Sequence, residues 1–267
     1  MLQLTLIYLL IGAITGVTAG LLGVGGGLIV VPALVMVFSA FDIGSNHIMH
    51  FSLGTSLATI IVTSISSIVA HQKHRAIEWK DVRVLAPGLV VGSFVGALLA
   101  DQLPTKALQL GFAAFVILIS VDMLLDVRSK VLSSFRKNSR EKNTLVSPLA
   151  GGSIGVISAL TGIGGGSMTV PYLSWKDRSI RRAIATSAAC GFPIAVAATI
   201  GFIWTGYGST GSVLGYVYLP AFIGIIITSV LMVPVGANLT HTLPVSVIKR
   251  IFAVFLLLVG VKMFWGV

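Results

Sequence analysis

A five-residue glycine motif, GxGGG, occurs twice in this chain, each time inside a long apolar segment. GLLGVGGGLIVVPAL runs from Gly20 to Leu34, and ALTGIGGGSMTVPYL runs from Ala159 to Leu173. Gly23, Gly25, Gly26, Gly27 and Pro32 thus recur as Gly162, Gly164, Gly165, Gly166 and Pro171. A glycine inside a helix costs about 1 kcal/mol relative to alanine, so four within five positions predict a helix break. Interrupted hydrophobic segments at matching positions of two halves mark where a membrane protein of this kind holds a solute.

Composition places both breaks in a bilayer. Hydrophobic residues make up 55% of the chain and charged residues 10%, with a mean hydropathy of +1.00. A soluble domain carries about 25% charged residues. Apolar stretches long enough to cross as helices lie near 48–70, 84–100, 105–125, 183–204, 215–237 and 246–264, and the segments 4–39 and 145–173 contain the breaks. The chain reads as an all-α polytopic membrane protein of the cell (plasma or inner) membrane of a bacterium. Its net charge of +10 comes from Lys and Arg clustered between the spans, as basic cytoplasmic loops do, and does not point to nucleic acid. The single cysteine, Cys190, forms no intrachain disulfide, and no Cys/His spacing suggests a metal or cofactor. MLQLTLIYLL has no basic residue ahead of its apolar run, so no cleaved signal peptide is expected.

Positive charges also order the loops. With the longest basic loop, 126–143, in the cytoplasm, 101–106 falls outside, 71–83 inside and 38–47 outside. If 145–173 doubles back at its glycines, Lys176, Arg178, Arg181 and Arg182 are cytoplasmic too; a single crossing strands all four outside. With both glycine segments doubled back, only Lys106 and Lys262 fall outside. Each half then has an odd number of crossings, which inverts the second relative to the first. The expected architecture is two inverted-topology repeats, 1–125 and 145–267, joined by a basic linker at 126–144. Each repeat is a Gly-broken helical hairpin plus three transmembrane helices, eight to ten membrane helices in all. Gly12, Gly16 and Gly20 pair with Gly151, Gly155 and Ala159, and LPTKALQLGFA matches LPVSVIKRIFA. The runs Gly12xxxGly16xxxGly20 and Gly88xxxGly92xxxGly96 read as helix-packing faces, which also suit a homodimer.

A broken helix offers backbone amides at the start of its second arm, and a helix N-terminus carries about half a positive charge. Together these make an anion site. The candidate substrate-binding residues are therefore Gly25, Gly26, Gly27 and Leu28 in one break, and Gly164, Gly165, Gly166 and Ser167 in the other. Thr55 and Ser56 recur as Thr186 and Ser187, neutral donors suited to an anion, although a hydroxyl can also bond its own helix. His50 and Arg181 occupy matching positions and would attract an anion into opposite vestibules. The same glycines admit two other readings, close packing and cation coordination by freed carbonyls. A dinucleotide fingerprint is disfavoured, because Leu28 and Ser167 stand where its third glycine belongs. Among eight acidic residues only Asp122 lies within a span, which leaves little for a proton or cation path. No nucleophile is paired with a base, so an enzyme is not expected.

These residues resemble the TauE/SafE family of sulfite-exporter-like permeases. The resemblance spans nearly the whole chain. It rests on the doubled GxGGG with Pro32 and Pro171, on GTS at Gly54–Ser56 and ATS at Ala185–Ser187, on HRAIEW from His74, and on GALLADQLP and GANLTHTLP. It implies export of small sulfur-containing anions: sulfite, sulfoacetate or related organosulfonates. The alternatives are a cation-coupled permease or an anion channel for another small anion. The second half departs from the first in its WKDRSIRR loop and its longer GYGSTGSVLGY stretch, which would make the two vestibules unequal.

Overall fold

The computed structural model describes residues 2–22, 25–44, 46–125, 146–176, 178–208, 214–242 and 245–266. Gly23, the basic linker at 126–144 and residues 209–213 of the Gly/Tyr/Ser stretch lie outside the described residues. The described chain is helical throughout: α1 (Leu2–Leu22), α2 (Gly27–Ala40), α3 (Ile48–Lys73), α4 (Trp79–Asp101), α5 (Thr105–Leu125), α6 (Val146–Thr161), α7 (Gly166–Trp175), α8 (Ile180–Thr205), α9 (Leu219–Thr242) and α10 (Val245–Trp265). A lone bridge between Leu214 and Val217 is the one β contact among the described residues.

Among the described residues, six helices are long and apolar enough to cross a membrane: α1, α3, α4, α5, α8 and α9. This is a multi-pass membrane protein. Of the six, α8 and α3 are the most enclosed, 78% and 61% buried against 28–39% for the rest. They pack on each other at the centre. The second arms of the broken segments are short. At 1.5 Å per residue, α2 reaches about 21 Å and α7 about 15 Å, neither enough for a hydrocarbon core of about 30 Å. They therefore turn back. α2 has almost no polar side chain to show to water, and Leu28, Val30, Val31 and Leu34 are buried with Met49, Leu53 and Leu57 of α3. A helix apolar all round belongs in such an interior.

Glycine faces bring the long helices together. α4 runs parallel to α6, with Gly88, Gly92 and Gly96 against Pro148, Gly152 and Val156. α1 runs parallel to α9, with Gly12 against Ile225 and Thr228, and Gly16 against Ser229 and Met232. The Thr228 hydroxyl donates to the Leu9 carbonyl at 2.7 Å and closes that seam. Lipid offers no hydrophobic drive between helices, so close backbone approach and such hydrogen bonds hold them together.

Cross-contacts fix which loops share an end. At one end, the Thr105 hydroxyl donates to the Asn46 carbonyl at 2.9 Å, and the Tyr216 phenol donates to Asp101 at 3.1 Å. At the other, Arg178 pairs with Asp81 and Arg182 with Glu78. α1 starts beside the start of α9, Tyr8 against Gly224, and α2 leads back to the Asn46 loop at that same end. α6 starts beside the start of α4, and α7 leads back to Arg178. Each broken pair of arms enters and leaves at one end, and the two pairs use opposite ends.

A Cβ on Gly92 would land on the Gly152 carbonyl oxygen, whereas nothing lies within 4 Å of one on Gly111. Overpacking a tight contact costs about 1–3 kcal/mol. Gly92→Leu is expected to lower the thermal unfolding midpoint in detergent, and Gly111→Leu to leave it unchanged or raise it.

Candidate functional site

The two breaks are built alike. Gly26 caps α2 at φ 81°, ψ −9°, and Gly165 caps α7 at φ 75°, ψ −15°. Both are left-handed, a conformation costing other residues about 1–2 kcal/mol. From that turn the Gly26 carbonyl accepts the Ile29 and Val30 amides, and the Gly165 carbonyl accepts those of Met168 and Thr169. The amides ahead of them, on Gly166 and Ser167, donate to no described residue. Pro32 and Pro171 each withhold an amide one turn on, from the carbonyls of Leu28 and Ser167.

The breaks touch each other. A Cβ on Gly27 would fall on the Gly162 carbonyl oxygen and 3.0 Å from the Ile163 Cα, and one on Gly25 would lie 3.7 Å from the Gly164 Cα. Only glycine lets two backbones approach this way. Ser56 joins the contact, its hydroxyl donating to the Gly162 carbonyl at 2.8 Å. Across from it, the Thr63 hydroxyl reaches the Gly25 carbonyl at 3.3 Å. Of the sequence candidates, then, Gly25, Gly27, Gly164 and Ser56 meet directly. Gly26, Leu28, Gly165, Gly166 and Ser167 adjoin them in the chain.

The other candidates go elsewhere. The Thr55 hydroxyl accepts the Tyr218 amide at 2.9 Å, and the Thr186 hydroxyl accepts the Glu78 amide at 3.0 Å. Tyr218 immediately precedes α9 and Glu78 immediately precedes α4. Each threonine of one half thus holds the start of a helix in the other, a role absent from the sequence reading. Ser187 donates to the Ile184 carbonyl of its own helix at 2.8 Å. His50 is 2% exposed instead of open to a vestibule. Its Nε2 lies 3.0 Å from the Ala100 carbonyl oxygen, and its ring lies against those of Tyr216 and His47, with centroids 5.0 and 5.4 Å away. Arg181 is exposed at the opposite end.

Each end carries contacts between the two halves of the chain. At the Arg178 end the guanidinium is bidentate to Asp81, at 2.9 and 3.2 Å, and Arg182 reaches Glu78 at 2.6 Å. Asp81, by that hydrogen bond, holds the Arg178 guanidinium above its ordinary pKa. At the Tyr216 end Asp101 accepts the phenol. The sequence did carry a signal for the first end, opposite charges in two loops assigned to one side. It carried none for the second.

Burial and the Asp101 carboxylate push the Tyr216 phenol up to about 12, from an ordinary value of about 10. The neutral phenol favours the fold, so its contribution is complete below about pH 10 and disappears as the pH rises through 12. The stability advantage of wild type over Tyr216→Phe is expected to be constant in denaturant titrations below pH 10 and to vanish above 12. Thr55→Val leaves the Tyr218 amide without its acceptor, and an unmet buried donor costs about 1–3 kcal/mol. Its unfolding midpoint should fall by that equivalent.

Residues 8–263 match the Sulfite exporter TauE/SafE family. A probable membrane transporter protein of Haemophilus influenzae is 37% identical over 262 residues, covering 97% of either chain. Another, of Methanocaldococcus jannaschii, is 28% identical over 86% of this chain and 81% of its own. The probable membrane transporter protein YdhB of Bacillus subtilis is also 28% identical, over 94% and 96%. No solved structure matches. With two glycine-broken hairpins meeting between long apolar helices and a match over nearly its full length, the chain belongs to the TauE/SafE sulfite exporter family of membrane transporters.

Proposed function

We propose that this protein exports small sulfur-containing anions, sulfite or organosulfonates such as sulfoacetate, by alternating access between two inverted repeats. The observation that carries the reading is the contact between the breaks. Two helix N-termini, at Gly27 and Gly166, open beside one point where Gly25, Gly27, Gly162 and Gly164 meet. Their half-charges and amides suit one oxyanion there. Gly26, Leu28, Gly166 and Ser167 would contribute backbone amides, and Ser56 a hydroxyl; the Gly165 amide is taken by the Ile163 carbonyl, so Gly165 serves as the left-handed cap. The hairpins opening at opposite ends support an inverted repeat, as does the recurrence of α1 with α9 in α6 with α4. Inverted repeats place their site at the interface between halves.

Alternating access needs contacts that break at one end while holding at the other. Arg178–Asp81 and Arg182–Glu78 at one end, and Tyr216–Asp101 at the other, are suited to that role. Exposed ion pairs such as Arg182–Glu78 are worth about 1 kcal/mol or less, little enough to exchange during a transport cycle, while the part-buried Arg178–Asp81 pair is the firmer of the two. A potential of 100 mV, inside negative, favours each departing negative charge by roughly 2.3 kcal/mol, so a dianion gains about 4.6 and export needs no coupled ion. A cation-coupled variant has one observation in its favour, the carbonyls of Leu28 and Ser167 freed by the prolines.

The test is flux of labelled sulfite and sulfoacetate in proteoliposomes of the purified chain, with and without an imposed potential. Wild type is expected to move at least one of them, faster when the potential drives negative charge outward. Gly165→Ala, whose methyl overlaps only the flexible tip of Ile194 and otherwise sits at ordinary contact with the Thr169 and Ser158 hydroxyls, strains the left-handed cap by about 1–2 kcal/mol. It should cut flux about tenfold in protein that remains folded. Folded wild type that moves neither anion overturns the substrate assignment.

A further inference from the structure

The central helix α3 carries a buried stripe of hydroxyls along nearly its whole length. Ser52, Ser56, Thr59, Thr63, Ser67 and His71 follow one another at three or four residues, the spacing of one helix face, and none is more than 4% exposed. From Ser52 to His71 the stripe covers about 28 Å, close to the hydrocarbon thickness of a bilayer. It passes both breaks, Ser56 bonding the Gly162 carbonyl and Thr63 the Gly25 carbonyl. Thr59 is satisfied by its own helix. Ser52 and Ser67 are not: their hydroxyls are buried and have no partner, one on each side of the breaks.

Apart from Ser187, helix α8 carries the same face in apolar form. In the register that pairs Ser56 with Ser187, the matching residues are Ala183, Cys190, Ile194, Ala198 and Phe202, all fully buried. Packing at this position therefore does not require hydroxyls. An unpaired polar group inside a membrane protein is expensive and faces a partner or a pathway. On this face α3 keeps two, Ser52 and Ser67, where α8 has Ala183 and Ala198, and the unpaired hydroxyl of α8, Thr199, lies off that face.

We propose that the α3 stripe is the polar wall of the translocation path and the α8 stripe its apolar counter-wall. Ser52 and Ser67 are the hydrogen-bond donors that hold an oxyanion just before and just after the glycine site. Neutral donors suit this task, since they bind an anion without a fixed counter-charge that would retain it. The inference rests on the transporter reading above and deepens it: the specificity for an oxyanion is carried asymmetrically, by one half.

The experiment starts from Cys190→Ala, which removes the single cysteine. Ser52→Cys, Ser67→Cys, Ala183→Cys and Ala198→Cys are placed in it one at a time. Each is treated in membranes with a small sulfonate-bearing methanethiosulfonate. Ser52→Cys and Ser67→Cys are expected to react about tenfold faster than the two α8 cysteines, because a thiol held in apolar surroundings is inert. Equal rates on both helices, or no reaction on α3, overturn the proposal. The readout needs no transported sulfite. Reactive α3 cysteines without sulfite flux would leave the path standing and remove the substrate; flux with inert α3 cysteines would do the reverse.

Discussion

Backbone amides and carbonyls inside a bilayer need partners, because no water is there to serve them. Breaking a helix in that setting is costly, and this chain breaks two. The rest of the architecture follows from bringing the two broken places together. Gly27 lies on the Gly162 carbonyl, Ser56 bonds that same carbonyl, and Thr63 reaches the carbonyl of Gly25. Each break thus meets groups from the other half or from α3.

Holding two short re-entrant pairs against each other requires a stiff frame. The frame is the parallel pairing of α1 with α9 and of α4 with α6, made close by glycines on both faces. In each pair, one helix is the first arm of a broken hairpin and the other is a full span from the opposite half. Each hairpin arm is thereby tied to a span from the other half of the chain. The two threonines reinforce this coupling, since Thr55 holds the start of α9 and Thr186 the start of α4.

The two ends of the molecule differ chemically. One is held by charge, Arg178 and Arg182 on Asp81 and Glu78; the other is held by a buried aromatic cluster around Tyr216, with Asp101 as its acceptor. Along the centre, α3 carries Ser52, Thr59, Thr63 and Ser67 where α8 carries Ala183, Cys190, Ile194 and Ala198, and both carry a serine between the first two.

How much of this the sequence carried depends on whether the deciding interaction is local. Composition and span length determine an all-helical membrane protein, since only a helix satisfies its own backbone in lipid over such stretches. Four glycines in five positions determine the breaks, because helix propensity is a property of the residues themselves. Loop charges indicated which ends lie together. Tertiary structure alone decided that the breaks touch and that Thr55 and Thr186 accept amides from distant loops. It also decided that His50 is buried against Ala100 and Tyr216 instead of lining a mouth. A hydroxyl or an imidazole reads the same in sequence whether it bonds a ligand, its own helix or a carbonyl a hundred residues away. The choice is made by which backbone the packing of small residues brings within 3 Å, and that is a property of the assembled helices.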